Sequence, residues 1–169
     1  MARDLTDAEL ASDWSLTFDQ MGLLKTKPLR SHLGFVVQLK VFQNTGRFPE
    51  SLGDVSPTSI AYLGDQLERP PGNLDDYAFT DRSGRRHRRE ILSYLGFRRM
   101  RKREREALQA WIQADLCPRS GSFGAMVDQV YDWLRDRKLF GPSKGMIERL
   151  VRSARRHFDE AYLADCNSR

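Results

Sequence analysis

The side chains that do most enzymatic chemistry are few here and poorly placed for it. His32, His87 and His157 lie far apart, and none stands at ligand spacing from another His or from Cys117 or Cys166. No H-E-x-x-H or C-x-x-C occurs, so no zinc site is spelled out. Gly141-Pro-Ser-Lys-Gly has the look of a phosphate loop but lacks its G-K-[S/T] order, and reads as a helix start. Asp75-Asp76 and Asp159-Glu160 are adjacent acids of the kind that sit on solvated helix surfaces. The expectation is therefore no active site, no metal and no cofactor within this chain.

The chemistry that the sequence does concentrate is cationic. From Arg82 to Glu106, 25 residues hold eleven Lys or Arg against three Glu, a net charge of +8. The other 144 residues hold 17 basic and 20 acidic groups, net −3, so the overall +5 comes from one segment. Ile91, Leu92, Tyr94, Leu95 and Phe97 in its middle can anchor it to a core. A field of that density suits a phosphate backbone, because each Lys or Arg near a phosphate releases condensed counterions. A solvated helix face laced with ion pairs is the competing account. It is weakened because three carboxylates cannot pair with eleven cations. His87, amid Arg85, Arg86, Arg88 and Arg89, is disfavoured as a cation. As a neutral ring it either bonds a phosphate or base edge or packs under Tyr77.

The elements that must hold these residues all read as helices. Thr6 with Glu9 and Thr17 with Gln20 make capping boxes for helices over 7–13 and 18–24. A longer helix over 29–44 is apolar on more than one face and belongs at the centre of the first half. Gly46 ends it. Ser56-Pro57 starts another, with Ile60, Leu63 and Leu67 on one face. Pro70-Pro71-Gly72 breaks the chain, and Asn73 is expected to cap a short helix through Tyr77. The basic helix is predicted over 84–95 from Ser83 or Gly84, stopped by Gly96, with a partner over 102–116. Helices over 123–136 and 144–164 follow, the last burying Ile147, Leu150, Val151, Ala154, Phe158 and Tyr162. Its other face carries Arg149, Arg152, Arg155 and Arg156. No strand is expected. Helix, break, helix recurs over 57–78, 84–116 and again beyond, the outline of tandem helix-turn-helix-like units. The reading is an all-α chain in two parts, 1–80 and 81–169.

With 169 residues and 40% apolar composition the chain can bury a real core. No apolar run approaches the ~18–20 residues of a membrane span, and the first residues lack a signal-peptide apolar stretch. Two distant cysteines read as reduced thiols. A cytoplasmic location is the expectation.

The motif string resembles the N-terminal DNA-binding region of the Tn-three family, the large replicative transposases of bacterial mobile elements. The matching residues begin with Gly34-Phe-Val-Val-Gln-Leu-Lys and Thr45-Gly-Arg-Phe-Pro. They continue with Ile60-Ala-Tyr-Leu-Gly-Asp-Gln-Leu and Leu74-Asp-Asp-Tyr77. The strongest part is Arg82-x-x-x-x-His87-x-x-Glu90-Ile91 followed by Leu95-Gly-Phe-Arg98. Leu134-Arg-Asp-Arg-Lys-Leu-Phe-Gly-Pro and Ile147-Glu-Arg-Leu150 resemble the family's next helix pair. The chain departs at Glu68-Arg69-Pro70-Pro71, where that family tends to have a Gly and an apolar residue. The resemblance implies recognition of terminal inverted repeats by several helical modules. It also implies cleavage and strand transfer by an acidic-triad domain much further along a longer chain, of which this is a fragment or a stand-alone relative.

Double-stranded DNA is thus the expected partner, together with the remainder of a transposase chain. Arg85, Arg86, Arg89, Arg98, Arg99, Arg101, Lys102, Arg103 and Arg105 are expected to supply the phosphate field, with His87 beside them. Thr58, Ser59, Asn73 and Tyr77 are candidates for reading bases. An RNA-binding helical module and a domain for an acidic protein partner are the rival readings.

Overall fold

A helix apolar on more than one face has to be surrounded, and α3 (His32–Thr45) is the element around which the first half packs. Every residue from Leu33 to Phe42 is buried, including Gln38 and Lys40. Gly46 ends the helix in the left-handed region (φ 76°), with its N–H bonded to the Phe42 carbonyl. The computed structural model describes residues 4–119 and 121–168. The Asn73 side chain lies outside the described residues, so its reading as a cap or a base contact is left there. The chain divides into two compact units, Met1–Leu95 and Gly96–Arg169.

In the first unit, α1 (Asp7–Asp13) and α2 (Phe18–Gly22) carry the two expected capping boxes, Thr6 with Glu9 and Thr17 with Gln20. The helix read over 18–24 changes to a 3-10 turn over Leu23–Thr26, and a second 3-10 turn, Leu29–Ser31, leads into α3. α4 (Pro57–Gln66) starts at Ser56 with Pro at its first position. From its far end, Gln66 donates to the Trp14 carbonyl (3.1 Å) and accepts from the Leu16 N–H (2.8 Å), satisfying the backbone that leaves α1. α4 closes in a Schellman motif: the Arg69 N–H bonds the Gly64 carbonyl (2.7 Å), the Glu68 N–H bonds the Asp65 carbonyl (3.1 Å), and Glu68 sits at φ 54°. That is where the sequence departs from the Gly-plus-apolar pattern. After it, Pro70 and Pro71 leave room for a 3-10 turn only, Pro71–Leu74, in place of the helix expected through Tyr77. α4 therefore pairs with α3 rather than with a following helix. α5 (Arg82–Leu95) completes the unit and packs on α3.

In the second unit, α6 (Lys102–Trp111) runs on into a π-helical stretch, Ile112–Leu116, so that Leu108, Ile112 and Leu116 face one core. α7 (Phe123–Asp136) is capped by the Ser122 hydroxyl, and α8 (Lys144–Asn167) starts after Ser143. Val127, Val130, Leu134, Ile147 and Val151 fill the space between them. Two strands were not foreseen: β1 (Arg98–Arg99) and β2 (Leu139–Phe140) pair in parallel. At two residues each, they are too short to show alternation in sequence. α8 is longer than the expected 144–164, and Tyr162, expected inside, is 64% exposed. Its apolar spacing fits the helix, but the last three turns run past the core that buries Ile147, Val151 and Ala154.

The basic helix thus begins at Arg82 and belongs to the first unit. The boundary falls after residue 95, where the reading put it after 80, and the pair expected over 84–116 is divided between units. Burial of His87 and Ile91 against α3 is the reason.

Two substitutions at backbone-determined sites should move stability in opposite directions. Glu68→Gly relieves the left-handed strain and is expected to stabilise by about 0.5–1 kcal/mol. Gly84→Ala places a Cβ against the carbonyl oxygens of Phe79 and Ala78 and should cost about 1–3 kcal/mol. Urea unfolding at neutral pH reads both.

Candidate nucleic-acid interface

α5 exists because Asp81 caps it. The Asp81 carboxylate accepts from the Gly84 N–H (2.6 Å), and its carbonyl takes the Arg85 N–H (2.9 Å). Gly84, His87 and Ile91 form its buried face. Glycine is required at 84 because the Ala78-Phe79 backbone lies where a side chain would stand.

A polar relay fixes the rotation of this helix. Arg88 Nε donates to Gln38 Oε1 (2.9 Å), and its Nη2 donates to the Pro49 carbonyl (2.8 Å). With its oxygen so occupied, Gln38 presents Nε2 to the Tyr77 hydroxyl oxygen (2.8 Å) and to the Gly84 carbonyl (3.3 Å). The Tyr77 O–H is left to donate to His87 Nδ1 (2.7 Å), which holds the ring neutral with its proton on Nε2. Burial pushes the Tyr77 phenol up to about 12. Burial also lowers the His87 pKa, helped by Lys27 and Arg86 and opposed by Glu90 and Asp81. Phe35 meets the His87 ring edge-on at 5.3 Å. Lys27 adds a second tie: its ammonium binds Glu90 of α5 (2.6 Å) and the Leu23 carbonyl (2.9 Å), and lies 4.3 Å from the Phe35 ring centre.

With one face so committed, Arg82, Arg85, Arg86 and Arg89 stand exposed at i, i+3, i+4 and i+7, a continuous cationic stripe. Arg88, in the same run, is half-buried and structural.

In the second unit, Arg98, Arg99, Arg101, Lys102, Arg103 and Arg105 are all exposed, around β1 and the first turn of α6. Glu104 answers part of this charge: it takes a hydrogen bond from the Arg98 guanidinium and another from the Arg101 backbone N–H (2.7 Å). Those bonds, the Arg98 one foremost, hold its carboxyl down to about 2. Lys102 lies 3.9 Å from Glu106. The units differ in charge. Residues 1–95 hold 12 basic and 13 acidic groups, net −1, whereas residues 96–169 hold 16 and 10, net +6.

Of the residues read as contacts, the nine cations stand in solvent, and Thr58 does too. His87 and Ser59 are corrected to core positions, 1% and 0% exposed. Tyr77 is half-buried with its hydroxyl spent in the relay. Ser59 follows from the face that α4 turns to α3, which takes in residues 59, 60, 63 and 64. Arg82 was absent from the sequence-derived set although it opens the α5 stripe; the helix starts two residues before the expected position. Among the described residues no group of three or more His, Cys, Asp or Glu is placed to hold a metal ion, and no helix is long and apolar enough to cross a membrane.

The fold and surface define a helical domain with outward-facing arginine stripes. Residues 1–154 match the family described as Domain of unknown function (DUF4158), and the chain belongs to that family. No curated protein matches it.

The neutral, buried His87 carries a pH signature. Its folded pKa lies below the ordinary 6.5, so the unfolded chain binds the proton more readily. Stability is full above about pH 6.5 and falls as pH drops toward the folded value, by at most about 1.4 kcal/mol per pH unit. Glu104 acts lower: with a folded value near 2, its contribution is lost only below the ordinary 4.5. Urea unfolding between pH 6.5 and 5 should show the His87 slope. His87→Asn, which keeps an acceptor but cannot titrate there, should flatten it; equal slopes would contradict the assignment.

Proposed function

We propose that this chain binds duplex DNA, recognising the terminal inverted repeats of a bacterial transposon as the N-terminal part of a Tn-three-family transposase. The observation that carries the reading is the exposed, largely unneutralised arginine stripe of α5 together with the cation cluster at the start of α6. Cations on neighbouring exposed positions repel one another, and an array of phosphates spaced along a backbone relieves that repulsion while releasing counterions. Supporting it, the motifs that resemble the transposase family all fall within the 1–154 stretch matched by the domain family. The division of labour follows from charge. Arg85, Arg86, Arg89 and the residues from Arg98 to Arg105 hold phosphates, which positions the protein without reading sequence. Cleavage and strand transfer are assigned to the remainder of the transposase chain, and this part acts in the bacterial cytoplasm.

Salt dependence tests the proposal. With about six to nine cations on phosphates, log K against log salt should slope by about −5 to −8 for duplex DNA. The Arg101→Ala/Arg103→Ala double variant should weaken inverted-repeat and random duplexes nearly equally and make the slope less negative by about 1–2. A slope near zero, or tighter binding to structured RNA or an acidic peptide than to duplex, overturns it.

A further inference from the structure

The second unit carries a cationic face that the segment 82–106 does not include. On α8, Gly145, Arg149, Arg152 and Arg156 are exposed at i, i+4, i+7 and i+11, and so share one side of the helix. Ile147, Val151 and Ala154, buried in the core of the unit, hold the opposite side. The stripe spans about 16 Å of a helix roughly 36 Å long.

Two of its arginines are held in place. Arg149 Nε donates to the Gly145 carbonyl (3.2 Å). Arg152 lies 4.8 Å from the Phe123 ring centre and 3.9 Å from Glu148, which also meets Lys144 at 4.0 Å. Gly145 has open space where a side chain would be, so packing within the unit does not require a glycine there. Gly145 is the second residue of α8, where glycine costs less than the roughly 1 kcal/mol relative to alanine of a helix interior. A surface approaching closely from outside gives it a use.

We infer that α8 is the groove-reading helix of this chain, with Arg149, Arg152 and Arg156 directed at base edges of duplex DNA and Gly145 at the closest approach. The inference rests on the duplex-binding reading above and assigns to it a specificity element. A helix 10–12 Å across fits a major groove about 12 Å wide. An arginine fork oriented beforehand suits bidentate bonding to guanine O6 and N7 better than a freely moving point charge does. It also compensates for two base-reading candidates that the first unit loses, since Ser59 is buried and the Tyr77 hydroxyl is committed to the relay.

The test uses the full chain and a randomised 30-base-pair duplex library. Sequences enriched by the wild type are compared with shuffled duplexes of the same composition by fluorescence anisotropy. Arg149→Ala/Arg152→Ala should lose about 5- to 150-fold on enriched duplexes and far less on shuffled ones. Gly145→Gln leaves the charge unchanged and improves helix propensity. It should still lower the ratio of enriched to shuffled affinity, with unchanged far-UV circular dichroism. Equal losses on both duplexes would make α8 a phosphate contact and overturn the inference. So would unchanged binding in both variants, or a wild type that binds duplexes but enriches no sequence; each leaves the duplex-binding reading intact. A wild type that binds no duplex removes both.

Discussion

The relay from Arg88 through Gln38 and Tyr77 to His87 is the constraint on which the surface of the first unit depends. It joins the central helix, the segment after the 3-10 turn and the basic helix, and each member has its polar atoms engaged in a single direction. Leaving one such buried group unmatched costs roughly 1–3 kcal/mol, more for the guanidinium. Rotating α5 would expose His87 and bury arginines at once. The helix is therefore held with one arginine half-buried and four outside. Charge alone does not make that distinction; hydrogen-bond accounting does.

The positive field is left standing where ordinary stability considerations would neutralise it. Cations crowd the first turn of α6, the end of a helix whose own dipole is positive. Glu104 is spent on Arg98 and on capping, which secures the local geometry and leaves Arg99, Arg101, Arg103 and Arg105 exposed. Surface pairs such as Lys102–Glu106 at 3.9 Å contribute little to stability. Under the duplex-binding proposal, self-repulsion at these two separate helices is relieved by an anion that spans many phosphates. The first unit, net −1, presents its cations as a stripe on a nearly neutral body, while the second is basic as a whole.

Much of this was legible in the sequence, and what was legible is local. The capping boxes at Thr6 and Thr17, the Ser56-Pro57 start, the left-handed stops at Gly46 and Gly96, and α7 at 123–136 depend on interactions within four residues along the chain. The concentration of charge between Arg82 and Glu106 likewise needs no fold to be seen. Exposure of Arg85, Arg86 and Arg89 follows because charged side chains are rarely buried without partners.

What tertiary structure decided is which face of each helix meets another, and how far each core reaches. Gln38 and Arg88 are fifty positions apart in sequence, so their bond, and with it the fate of Tyr77 and His87, left no local pattern. Ser59 looked available on a short helix until α4 turned that face to α3. Tyr162 keeps perfect helical spacing with Phe158, yet the core ends before it and leaves it in water. Periodicity specifies that a face is apolar; only the packed neighbours determine whether anything covers it, because burial is a property of two surfaces and the sequence of one helix describes one.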